Sequence, residues 1–72
     1  MSIVFSENAT FNAAVASSVE RLQAALAAAS TQAQKNDAHA AHFRRCITAS
    51  QAAGGASVGF YIAALREIGA AP

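Results

Sequence analysis

The chain has 72 residues, of which 54% are hydrophobic and 12% are charged, and its formal net charge is +1 at pH 7. A chain of this length makes one domain, here residues 1–72, and buries only about 60% of the surface that its unfolded form exposes. Five basic and four acidic side chains give no field that could hold a nucleic-acid backbone, so we do not expect a nucleic-acid partner.

The first six residues predict a flexible or extended arm before the first helix. Ile3, Val4 and Phe5 could form a short extended segment that folds onto the helices or pairs with a second copy. The segment lacks a basic region followed by a long apolar run, which a secretion signal needs. We therefore expect a cytoplasmic protein.

A long first helix, over about residues 7–34, is the strongest signal in the sequence. Ser6 and Glu7 predict its N-terminus, because a hydroxyl and a negative charge both suit the exposed amide groups there. Large apolar residues then recur in steps of three and four, which places them on one face. They are Phe11, Val15, Val19, Leu22 and Leu26.

A second helix is predicted over about residues 37–53, after a break between Gln34 and Asp37. Asn36 or Asp37 can cap its start, and its apolar residues again follow steps of three and four. Gly54 and Gly55 predict its end, since glycine readily adopts the left-handed conformation of a helix C-terminus.

A short third helix is predicted over about residues 57–69, with Ser57 as its cap. Its apolar face is broad, and it consists of Val58, Tyr61, Ile62, Leu65 and Ile68. The fold class is therefore all-α, a helical hairpin with a short third helix. We expect oligomerisation to complete this small three-helix domain, because the chain is too short to cover both the first and the third apolar faces.

One cluster of metal-ligating side chains stands out on the second helix. His39, His42 and Cys46 share one face, and such spacing can hold zinc from a single helix. No second ligand cluster exists elsewhere in the sequence. The alternative is that Cys46 packs inward while both histidines lie at the edge of the buried face, and we therefore predict no metal and no cofactor.

The sequence does not predict an enzyme. Cys46 and His42 lie one helical turn apart, but a nucleophile and base on one helix surface lack an oxyanion site and a pocket. No glycine-rich phosphate loop follows a strand, and the carboxylates are scattered along the chain.

A membrane span is the main rival interpretation of residues 46–65. The stretch is free of charge, is about long enough to cross a bilayer, and contains a GxxxG step from Gly55 to Gly59. Its hydroxyl and amide side chains and its paired glycines instead favour a turn, so we do not expect a membrane partner.

The function predicted from these patterns is a non-enzymatic protein–protein interaction module. It would bind a second copy of itself or a larger protein, as an adaptor, a chaperone-like hairpin or an inhibitor from a phage or mobile element. The alternative is a structural subunit of a larger helical assembly, such as a coat, pilus or tail component, with membrane association left open. The predicted interaction residues are Val15, Val19, Leu22, Leu26, Tyr61, Leu65 and Ile68, with Arg44, Arg45 and Arg66 at the rim.

Overall fold

A computed structural model describes residues 7–72, which form three α-helices and no strand. The helices are α1 (Ala9–Ala28), α2 (Gln32–Ala52) and α3 (Val58–Glu67). The all-helical prediction is confirmed for these residues. The predicted N-terminal arm lies outside the described residues, and completion by oligomerisation stays a prediction.

Helix α1 begins at Ala9, two residues later than predicted. Asn8 is its N-cap, and the side-chain Oδ1 of Asn8 accepts a hydrogen bond from the Phe11 amide at 2.7 Å. Asparagine is among the preferred N-cap residues because its side chain satisfies an otherwise unpaired amide. The predicted cap at Ser6 lies outside the described residues, and Glu7 has a different role that is described below.

The predicted break between Gln34 and Asp37 is wrong, because α1 ends at Ala28 and α2 already begins at Gln32. Thr31 Oγ1 accepts from the Gln34 amide at 3.1 Å. The Gln34 side chain accepts in return from the Thr31 amide at 3.2 Å. This reciprocal capping box fixes the start of α2. Asn36 and Asp37, which we expected to cap this helix, lie inside it.

The paired glycines end the second helix as predicted. Gly54 and Gly55 have φ angles of 112° and 83°, and the Gly55 amide bonds the Ser50 carbonyl at 2.7 Å. Few residues other than glycine adopt this conformation without strain. Ser57 then occupies the N-cap position of α3, but its side chain makes no cap hydrogen bond.

The helices α1 and α2 run antiparallel, and α3 also packs against α2. Two contacts give the direction. Glu7, just before α1, bonds Ser50 near the end of α2, whereas Ser18, further along α1, bonds His42 earlier in α2. Phe11, Cys46 and Tyr61 form the core, one from each helix, and each is less than a tenth exposed. The core therefore joins all three helices.

Candidate functional site: a groove and its polar network

A chain of hydrogen bonds crosses the interface between α1 and α2. The Arg45 guanidinium donates from Nε to Ser18 Oγ at 2.7 Å and from Nη2 to the Ser18 carbonyl at 3.2 Å. Ser18 Oγ lies 2.8 Å from His42 Nδ1. Arginine can only donate, so the Ser18 oxygen accepts from Arg45. Towards His42 Nδ1 the Ser18 hydroxyl donates in one imidazole tautomer and accepts in the other, through its second lone pair.

The surroundings of His42 favour its neutral form. Its side chain is only 8% exposed. Burial, followed by the positive charge of Arg45, lowers the pKa of His42 from its ordinary value of 6.5. The imidazole is therefore a buried polar link between the helices at neutral pH.

Cys46 lies deeper in the same interface and is 1% exposed. Its Sγ is 3.7 Å from His42 Nε2, and burial raises the pKa of the thiol above its ordinary 9.0. Burial, followed by the neighbouring Cys46, raises the pKa of the Tyr61 hydroxyl to about 12. A protonated, buried thiol is a poor nucleophile. The Cys46 and His42 pair is therefore part of the core packing.

The three residues that were weighed as a candidate metal cluster do not assemble a site. The His39 ring stacks against Phe43 with a centroid distance of 6.2 Å, whereas His42 and Cys46 face the interface. Across residues 7–72, no group of three or more histidine, cysteine, aspartate or glutamate side chains could hold a metal ion.

A groove of about 430 Å³ runs between α1 and α2 beside the Arg45 and Ser18 contact. This volume lies within the range of ligand-binding clefts. Most of the lining side chains are small, and two of the lining residues are arginines. The lining residues are Ala14, Ser17, Ser18, Arg21, Arg45, Thr48, Ala49 and Ala52.

The two arginines give the groove a positive charge that the described residues do not neutralise. Arg21 is exposed, and Arg45 is half-buried. Within residues 7–72 neither forms an ion pair, and the side-chain contacts of Arg45 are the two to Ser18. Residues 1–6 contain no acidic side chain.

The predicted interaction residues divide between the core and the surface. Tyr61 and Leu65 are 8% and 0% exposed, so the prediction that they form an interaction surface is wrong, because the fold of the chain itself covers them. Val15 packs against the core. The half-buried members of the set are Val19, Leu22, Leu26 and Ile68.

The arginines expected at a rim have separate positions. Arg44 donates from Nε and Nη2 to the Ala71 carbonyl at 3.1 and 2.8 Å, which ties the C-terminal residues to α2. Arg66 is exposed on α3. Of these three arginines, only Arg45 lines the groove.

Sequence reasoning missed Ser18, Arg21 and the small residues of the groove. Their signal was present, since Ala14, Ser18 and Arg21 follow steps of four and three along α1. Among the described residues, Phe60 is the one large apolar side chain that is exposed, at 45%. The surplus apolar surface is therefore smaller than we expected.

A second polar network joins the ends of the helices. The Glu7 carboxylate accepts from Ser50 Oγ at 2.9 Å, from the Ser57 amide at 2.8 Å and from Ser57 Oγ. Both serines are fully buried. The hydrogen bond from the Ser57 side chain is the largest cause that lowers the pKa of Glu7 below its ordinary 4.5. This network stabilises the fold and lies away from the groove.

The chain matches no protein-family model, no curated protein and no solved structure. None of the helices within residues 7–72 is long and apolar enough to cross a membrane.

Proposed function

We propose that the chain is a non-enzymatic interaction module that binds a helix of another protein in the groove between α1 and α2. The observation that carries the proposal is the groove itself, with about 430 Å³ of open volume between two helices that pack together elsewhere. The small side chains at its walls allow a third helix to approach closely.

The groove favours a helix over an extended peptide as its occupant. Its walls are helical, and most backbone N–H and C=O groups of a helix are bonded within that helix. An extended peptide would find no free backbone groups on these helical walls, and each polar backbone group that it buries without a side-chain partner costs free energy. A helix brings its backbone already satisfied and needs only side-chain contacts.

The proposal is tested by filling the groove. Peptides selected on the protein from a display library of helical sequences serve as probes, and fluorescence anisotropy measures their binding. Ala14→Phe introduces a large side chain at an exposed lining position, and we expect it to weaken binding by about tenfold or more.

The matched control is Ala13→Phe, which adds the same side chain at an exposed position of α1 outside the groove. Circular dichroism checks that both variants keep their helices. Equal binding by the two variants would rule out the groove as the binding site.

A second candidate function is a structural subunit of a larger assembly. The exposed Phe60 on α3 and the groove are different surfaces of one chain. If Phe60 of one copy enters the groove of the next, the contact is head-to-tail and does not close on itself. Light scattering that shows growth with concentration, and loses it in Phe60→Ser, would support this candidate. A species of constant mass would count against it.

A further inference from the structure

The groove is lined by two guanidinium groups and by no acidic side chain. Arg21 and Arg45 both line the groove, one from each helix. The acidic side chains among the described residues make no ion pair with either of them. The two like charges repel each other, and an anion bound between them would offset that repulsion.

Arg45 is oriented in advance for a ligand. Its two bonds to Ser18 use Nε and one hydrogen of Nη2. A guanidinium has five donors, so three remain after these two bonds. A side chain that is already held in one orientation loses less entropy when it binds.

Arg21 is well placed to act with it. It follows Ser18 by three residues, so the two side chains lie on the same side of α1. Ser18 accepts the hydrogen bonds from Arg45. Arg21 lies about one helical turn after Ser18 on the side of the groove that α1 forms. The positive charge of Arg45 also acts on buried His42, whose pKa it helps to lower.

We infer that the groove selects helices that carry an aspartate or glutamate, whose carboxylate binds between Arg21 and Arg45. The inference rests on the proposed function and names the chemistry of its partner. Arginine and carboxylate form paired, charge-assisted hydrogen bonds, whose two parallel N–H···O contacts also fix the orientation of the carboxylate. The small side chains around the arginines accept the apolar remainder of the same helix face.

The test compares the peptides that different versions of the full chain select from one helical library with a randomised face. We expect the wild-type protein to enrich Asp or Glu at one position of that face. Arg21→Gln should weaken the binding of a selected acidic peptide by about tenfold, and Arg21→Glu should enrich Lys or Arg instead. Arg21 has no hydrogen-bond partner among residues 7–72, so the variants keep the described contacts.

Arg66→Gln is the matched control, because it removes the same charge from an exposed position outside the groove. It should select acidic peptides as the wild type does. A pool without acid enrichment, or the same enrichment in Arg21→Gln, overturns the inference.

The outcomes also separate this inference from the proposed function. If the selected peptides do not bind Ala14→Phe and contain no Asp or Glu, the groove remains the binding site and the inference about the carboxylate fails. If no selected binder is sensitive to Ala14→Phe, the proposed function itself fails and the inference fails with it. Binding of acidic peptides that weakens with added salt, while their Gln counterparts do not respond, adds support.

Discussion

At the scale of single residues, Ser18 is the point where the two long helices exchange hydrogen bonds. Its hydroxyl accepts from Arg45 and shares a hydrogen bond with His42, and the side chain is 3% exposed. Ser18 and His42 are both buried, so water does not readily replace a hydrogen bond that is lost between them. The network therefore couples the charge of His42 to the stability of the α1 and α2 interface.

This coupling predicts that stability falls as the pH is lowered below about 6.5. The pKa of His42 is lowered in the folded protein, so the unfolded chain takes up a proton that the folded chain excludes. The stabilisation is present above the ordinary pKa of 6.5 and is lost as the pH falls toward the folded value. Urea unfolding between about pH 7.5 and pH 5 measures the change.

The variant His42→Gln should flatten this pH dependence, since a glutamine amide can still hydrogen-bond Ser18 but does not titrate. His39→Gln should keep most of the wild-type dependence, because His39 makes no hydrogen bond in the network and its charge is the weakest of the causes that lower the pKa of His42. If wild type and His42→Gln have the same slope, the neutral form of His42 does not stabilise the interface.

At the scale of elements, the spacing of apolar residues was enough to predict three helices but not the turn between the first two. Alanine has the highest helix propensity, so the alanines at the end of α1 contain no stop signal. Asn36 and Asp37 are good caps by residue type. The decisive signal was the Thr31 and Gln34 pair, whose reciprocal hydrogen bonds satisfy more amide groups than a single cap does.

The groove could be predicted even less well than the turn. Small residues occur on every side of α1, and only the packing against α2 decides which of them face an open space. Arg45 was predicted as an interaction residue, but its contact with Ser18 depends on the register of two helices. The sequence alone does not predict that register, because packing different alanines of α1 and α2 against each other would cost a similar free energy.

The capping box predicts a measurable difference between two substitutions. Thr31→Ala removes the side-chain acceptor of the Gln34 amide and should lower the free energy of unfolding by about 1 kcal/mol. Asp37→Ala changes an exposed residue inside α2 and should change it by less than about 0.5 kcal/mol. Urea unfolding compares them, and a larger loss in Asp37→Ala would contradict the observed helix start.

At the scale of the whole molecule, one carboxylate joins regions that are far apart in sequence. Glu7 precedes α1, Ser50 is near the end of α2, and Ser57 precedes α3. A domain of this size has little stability to lose, since its core is small. The Glu7 network therefore matters more here than it would in a larger protein.

We predict that Glu7→Gln lowers the melting temperature and reduces the loss of stability in acid. The pKa of Glu7 is lowered in the fold, so its contribution is present above the ordinary 4.5 and disappears as the pH falls below that value. Glu20→Gln is the control, because Glu20 is exposed and has no hydrogen bond within the described residues. Equal melting temperatures for the two variants would show that the network does not hold the helix ends together.

The burial of the single cysteine gives the protein an internal reporter of its own motion. Cys46 is covered by all three helices, and its thiol is held protonated. A thiol reagent in solution therefore reacts with it only while the helices are apart, and the labelling rate follows how often they separate. One irreversible labelling reaction per molecule thus reports how accessible the core becomes without any introduced probe.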